Sequence, residues 1–286
     1  LESAVELLED RSTFVITGDI PAMWLRDSAG QVKHYLFLSS EDEELGKIIR
    51  GVIQRQCFYI TIDSYANAFN KSHNNQGHKE DDIKNRNPWV WESKYEVDSL
   101  CYPIQLSYLY WKYTNRINHF NSTFKKVCNI IIKQFTLEQR HHEMSDYSFS
   151  RGKYPSKDSL KNKKKGMPVN YTGMTWSGFR PSDDACIFGY LIPANAFALV
   201  ILQYIQEIAE NIYHDEKLEQ RAAVLEEEIR YGIMNYGIYL HPKYGLIYAY
   251  ETDGYGNYNL MDDANIPSLL SLPYLGYCEI DDPIYK

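Results

Sequence analysis

Four short acidic segments recur along this chain, each ahead of an apolar run. They are Leu25-Arg26-Asp27-Ser28, Glu96-Val97-Asp98-Ser99, Ser182-Asp183-Asp184-Ala185 and Met261-Asp262-Asp263-Ala264. Their matching aspartates, Asp27, Asp98, Asp184 and Asp263, lie 71, 86 and 79 residues apart. Each interval has room for two helices and their connections. If every aspartate opens the inner helix of an αα-hairpin, alternate helices run the same way and the acids gather at one end of a helical toroid. The expected class is all-α, and a ring of carboxylates at one mouth is a setting for sugar chemistry.

The pattern along the chain supports that class. Residues 1–10 read as the end of a helix, and Phe14 to Thr17 as a short β-like run. Helices are expected from Asp27 to about Leu38, from a capping box at Ser39, Ser40 and Glu43 to about Tyr59, over about 97–112 and over about 121–139. The strongest spans about 184–211, apolar almost all round as far as Val200, with a kink expected at Pro193. A charged outer helix follows over about 216–231, and Asp263 is expected to open one more. Two polar stretches, 67–88 and about 141–169, read as long loops, which in compact domains often carry function. The 286 residues are read as a single domain.

Composition narrows the function. A net charge of −8 lacks the basic footprint that a nucleic acid requires. The Lys161–Lys165 run reads as a solvated loop. No run of about 18 apolar residues suggests a membrane span, so no membrane partner is expected. Five scattered cysteines without CxxC spacing read as reduced thiols of a cytoplasmic protein, with no zinc site. The histidines form no HExxH cluster, and no Rossmann, P-loop or G-x-S-x-G motif occurs, so neither cofactor nor metal is expected. The Tyr250–Tyr258 loop lacks the D-x-D-x-D-G spacing of a calcium loop. Twenty-five tyrosines offer flat faces with polar tips, suited both to helix interfaces and to sugar rings.

Three segments concentrate the chemistry. Residues 18–28 bring Asp19, Trp24, Arg26 and Asp27 into one turn, where carboxylates could hold vicinal hydroxyls while Trp24 stacks; the plain alternative is a local Arg26–Asp27 ion pair. Trp89 and Trp91 lead into Glu96 and Asp98, or else form a buried aromatic pair. Trp176 and Arg180 precede Asp183 and Asp184, which read either as helix caps or as a proton donor and its neighbour. Asp184 holds the position shared by all four segments, which favours it slightly as the inward-facing acid.

Read together, the stretches Thr17–Ser28, Tyr65–Asn70, Pro88–Glu92, Tyr95–Pro103, Tyr171–Cys186, Gly254–Gly256 and Asp262–Ser268 resemble glycoside hydrolase family 125, the exo-acting α-1,6-mannosidases. The resemblance spans almost the whole chain. It implies an (α/α)6 barrel and metal-independent, inverting removal of a terminal mannose from an α-1,6-linked mannose oligosaccharide. It also implies a general acid in the Ser182-Asp183-Asp184 segment and a mannose pocket around Arg26 and Asp27. With these go Trp24, Asp19, Trp176, Arg180, Trp91, Glu96, Asp98 and Asp263 as binding residues.

The family's general base is a glutamate in a His-Glu-Ser segment near the C-terminus. These 286 residues contain no such segment. The expectation is therefore a barrel incomplete at its C-terminal end, with the base beyond Lys286 and no turnover by these residues alone. The alternatives are a mannose-binding protein of the same fold without catalysis, and a lyase or epimerase using Tyr171, Tyr255 or Tyr258 as base.

Overall fold

The computed structural model describes residues 4–81, 87–152 and 156–286; residues 82–86 and 153–155, within the two long polar stretches, lie outside it, as do residues 1–3. The helices are α1 (Leu25–Lys33), α2 (Glu43–Ile62), α3 (Val97–Thr114), α4 (Ser122–Glu138), α5 (His141–Met144), α6 (Lys161–Lys164), α7 (Ile192–Ile208), α8 (Glu216–Tyr236) and α9 (Leu272–Leu275). A π-helical turn, Ala209–Tyr213, extends α7.

The long helices form two layers. α1 packs on α3 and α3 on α7, while α2 packs on α4 and α4 on α8. Sequence decides which layer each joins. In α3 every residue from Val97 to Ser107 is buried, and in α7 every residue from Ile192 to Leu202. Such helices belong inside. By contrast α8 buries a stripe of Leu218, Ala222, Leu225, Ile229 and Ile233 and leaves Glu216 and Glu227 exposed. The outer helices begin at side-chain caps: Asp42 accepts from Leu45 N, Asn121 from Thr123 N and Phe124 N, and Asp215 from Lys217 N and Leu218 N. The composition of α7 would suit a bilayer, but α3, α8 and α9 cover it.

Four small antiparallel sheets accompany the helices among the described residues, so the fold is helix-rich rather than purely α. β1 (Val5–Leu7) pairs with β2 (Thr13–Val15). β3 (Ala22–Trp24), β4 (Ala68–Asn70) and β5 (Val90–Glu92) form one three-stranded sheet. β6 (Tyr190–Leu191), β9 (Glu251–Thr252) and β10 (Tyr258–Asn259) form another, and β7 (Ile238–His241) pairs with β8 (Gly245–Tyr248). Each inner helix starts from a strand: β3 runs into α1, β5 into α3 after four residues, and β6 into α7. The two three-stranded sheets thus sit at the N-terminal ends of the inner helices.

Several expectations are corrected. The Val5–Leu7 segment is a strand, because Asp10 accepts from Ser12 N and Oγ and turns the chain back on itself. Asp184 opens no helix; α7 starts eight residues later, with Pro193 in its first turn, where a missing N–H costs nothing and causes no kink. Asp263 lies in coil, accepting from Asn265 N at 3.0 Å. The expected helix after it reduces to a 3-10 turn, Leu269–Ser271, and α9.

Candidate active site

Strand β3 ends at Trp24 and α1 begins at Leu25, so Arg26 and Asp27 stand in the first turn of α1. Glu96 is the residue before α3, and Asp98 is in its first turn. Because α1 and α3 lie side by side, these two helix starts meet. Arg26 Nη1 is 2.7 Å from Glu96 Oε2 and 3.5 Å from Asp98 Oδ2, and Arg26 Nε is 3.7 Å from Asp27 Oδ2. Helix N-termini favour the negative charges placed there.

A third strand of chain closes the group. Asn195 on α7 accepts from Thr175 N at 2.9 Å and donates to Thr175 O at 3.0 Å. Gly178 N and Phe179 N both donate to Tyr95 O, and Ser177 Oγ accepts from Val97 N. The 175–179 segment is thereby stitched to the start of α3, and the turn after it delivers Asp183 Oδ1 to 3.9 Å from Arg26 Nη2. Asp183 takes a left-handed backbone, φ +68°.

One guanidinium therefore faces four carboxylates from three parts of the chain. Burial opposes the Arg26 charge, but Glu96, Asp98, Asp27 and Asp183 together hold its pKa well above the ordinary value. Burial pushes Glu96 well above the carboxylate range, with Arg26 opposing and Asp98 and Asp183 adding. Burial likewise raises Asp98, to about 6, against the pull of Arg26. Asp183 is raised by burial of its inner edge, with Lys94 and Arg26 opposing and Glu92 and Asp27 adding. Asp98 Oδ1 and Asp183 Oδ1 are buried with no hydrogen-bond partner among the described residues. They are acceptors without donors, as hydroxyl-binding oxygens are before the ligand arrives.

The arrangement has a floor and a rim. Glu96 and Asp98 side chains are fully buried, whereas those of Asp27 and Asp183 are 32% and 49% exposed. Trp24 packs apart from the main core, with Ala22, Ala68, Ile20 and the half-buried Trp91. An apolar patch beside unpaired carboxylate oxygens suits a molecule carrying both C–H faces and hydroxyls. A cavity of about 1060 Å³ lies elsewhere, between residues 7–12, α2 and residues 118–126, with Asp10 the one acid in its lining.

Other expected residues fall outside the cluster. Asp184 pairs with the exposed Lys157 at 3.2 Å, so Asp183, not Asp184, faces Arg26. Trp176 is 1% exposed and stacks on His141 with ring centres 3.5 Å apart, so it is core and lines no mouth. Arg180 is buried, its Nε 2.6 Å from Glu251 Oε1, which leaves it bracing the turn. Asp19 is exposed in the Thr17–Ile20 turn, and Asp263 accepts from Tyr250 Oη at 3.3 Å.

Sequence reasoning passed over Asn67, Lys94 and Asp158, and weighed Glu251 only as part of a loop without calcium-loop spacing. Asn67 Nδ2 donates to Glu92 at 2.8 Å and to Glu96 at 3.4 Å. The signal for Lys94 was present: a single cation between Glu92 and Glu96 in an apolar setting. Asp158 gave none.

With this geometry in view, comparison with known proteins is informative. The family model described as metal-independent alpha-mannosidase (GH125) matches residues 1–286. A structure from Streptococcus pneumoniae, described as a non-productive substrate complex with alpha-1,6-mannobiose in a family of metal-independent alpha mannosidases, is 48% identical. It superposes with a TM-score of 0.96, over 99% of this chain and 67% of that one. The meiotically up-regulated gene 157 protein of Schizosaccharomyces pombe is 40% identical over 96% of this chain, which spans 57% of that protein's length. The chain belongs to glycoside hydrolase family 125, the metal-independent alpha-mannosidases.

Proposed function

We propose that this protein is an exo-acting α-1,6-mannosidase that works with inversion, and that Asp183 is its general acid. The observation that carries the reading is the meeting of Arg26, Asp27, Glu96, Asp98 and Asp183 at the N-terminal ends of two inner helices. Arg26 and the buried acids would grip the hydroxyls of the terminal mannose, with Trp24 against its apolar face. Asp183, kept protonated more readily than an ordinary aspartate by burial, would give its proton to the departing glycosidic oxygen. The mannobiose bound by the pneumococcal relative supports the substrate class. Inversion needs a second carboxylate, about 6.5–9.5 Å from the first, to activate water. No residue among 1–286 is assigned that role.

The alternation of inner and outer helices supports an (α/α)6 barrel as the complete architecture. Free cysteines, four of them buried, support a cytoplasmic location. Cell fractionation tests that location; recovery from a secreted fraction would count against it.

In the full-length protein, Asp183→Asn lowers hydrolysis of α-1,6-mannobiose by about 10²–10⁴-fold, while Asp184→Asn stays within about tenfold of wild type. Retained turnover by Asp183→Asn would sink the assignment. Proton NMR of the products separates the alternatives. β-Mannose appearing first means inversion, binding without product means a lectin-like protein, and an alkene or epimer means a lyase or epimerase.

A further inference from the structure

We propose that Lys94 is a positioning residue for the proton donor, holding Asp183 in place through its main-chain carbonyl. The inference rests on the reading of Asp183 as general acid. Lys94 is 1% exposed, and a buried ammonium persists only when it is paired and hydrogen-bonded. Its Nζ donates to Asp183 O at 2.8 Å and to Asp158 Oδ1 at 3.1 Å, and sits 5.3 Å from the centre of the Phe179 ring.

Asp183 needs such a hold. A non-glycine residue with φ of +68° is strained and stays there only when its surroundings fix it. The turn itself supplies two bonds, Asp183 N to Arg180 O and Arg180 N to Asp184 O, both 2.9 Å. Lys94 supplies the third, from outside the turn.

The same lysine is tied to the far side of the site. Its main-chain N donates to Asn67 Oδ1 at 3.2 Å, and Asn67 Nδ2 reaches Glu92 and Glu96, the latter bound to Arg26. A continuous polar strut thus runs from Arg26 through Glu96, Asn67 and Lys94 to Asp183. It sets the separation between the residue that would hold the sugar and the residue that would protonate it. Displacements of about 1 Å in such a spacing cost on the order of 10²-fold in rate.

The charges around both groups define a readout that simple loss of packing would not imitate. The Lys94 ammonium acts on Asp158, Asp183 and Glu92. Asp183 is acted on by Lys94, Glu92, Arg26 and Asp27 and interacts with Glu96; Asp158 also faces Arg151 and Lys157. Removing the Lys94 cation raises the Asp183 pKa, and removing the Asp158 anion, which partly neutralises Lys94 from 3.1 Å, strengthens that cation's pull and lowers it. The alkaline limb of the kcat/KM profile reports the general acid of the free enzyme.

The experiment measures kcat, KM and pH profiles of full-length Lys94→Met, Lys94→Arg and Asp158→Asn with α-1,6-mannobiose. Lys94→Met is expected to lose about 10²-fold in kcat and to change KM less than about threefold, and to move the alkaline limb upward. Asp158→Asn moves that limb downward, and Lys94→Arg restores it close to wild type. A Lys94→Met enzyme with wild-type kcat, or limbs that stay put or move together, would overturn the proposal. Should Lys94→Met not fold, the direction of the Asp158→Asn limb decides alone. If Asp183→Asn retains turnover, the parent reading has failed; if it is inactive while the limbs stay fixed, only the role of Lys94 has.

Discussion

Asp98 shows how much a single buried carboxylate can say. It shares one guanidinium with Glu96, Asp27 and Asp183, so the site is short of positive charge, and burial leaves Asp98 with a pKa of about 6. In the unfolded chain it returns to the ordinary 3.8. A carboxyl raised on folding stabilises the native state fully below its unfolded pKa, and that stability is lost as pH rises through the folded one. Urea unfolding from pH 4 to pH 8 should therefore show wild type losing about 2–3 kcal/mol relative to Asp98→Asn. A difference that is flat with pH would refute the raised value. At this scale the sequence was legible where it was dense: Arg26, Asp27, Glu96 and Asp98 stood out as charges crowded beside tryptophans. Its slight preference for Asp184 as the inward-facing acid was wrong, since adjacent residues in a turn point apart, and which one turns inward depends on the left-handed backbone of Asp183 and its tie to Lys94.

Among the elements, the long helices were readable because periodicity over many residues is a strong signal, whereas two- to four-residue strands hold too few residues to show one. β7 and β8 drew no reading, β9 and β10 fall at the Tyr250–Tyr258 loop, and β4 lies inside the polar stretch 67–88. The recurring aspartate pattern succeeded for α1 and α3, which begin beside their acids. It failed at Asp184 and Asp263 because local pattern does not reveal the β6 strand inserted before α7, or the coil ahead of α9. Contacts between elements were equally hidden. Gly51 on α2 faces β2 so closely that a Cβ would stand 2.1 Å from Thr13 Oγ1 and 2.8 Å from Thr13 N. In an exposed helix, glycine to alanine adds stability, but here the backbone must shift. Gly51→Ala should lower the unfolding free energy by about 1–3 kcal/mol, read from the denaturant midpoint. Adding Thr13→Ala should recover only part, because the main-chain nitrogen remains in the way.

Across the whole molecule, the site is assembled from residues near 26, 96 and 183, and its last support comes from the distant β9. Glu251 sits in the sheet that launches α7. Its Oε1 accepts from Arg180 Nε at 2.6 Å, and its Oε2 from Ile187 N at 3.1 Å and Phe188 N at 3.2 Å. One carboxylate thus fixes both ends of the turn that carries Asp183. Sequence alone placed Glu251 in a loop tested only for calcium, because nothing local announces a partner 71 residues away. Truncating one member of a buried pair strands the other charge, typically at a cost of about 3–5 kcal/mol. Arg180 already has one buried nitrogen without an acceptor among the described residues, so no spare acceptor stands by to replace the lost carboxylate. Glu251→Ala should therefore lose about 3–5 kcal/mol in denaturant unfolding, and Glu251→Gln, which keeps the shape and the acceptor oxygen, distinctly less. Replacing both partners, as Arg180→Met with Glu251→Leu, removes the stranded charge and should restore stability above either truncation, while the turn, no longer tied at Ile187 and Phe188, still impairs hydrolysis. A double variant as unstable as Glu251→Ala would mean that packing, and not the charge pair, holds this end of the molecule together.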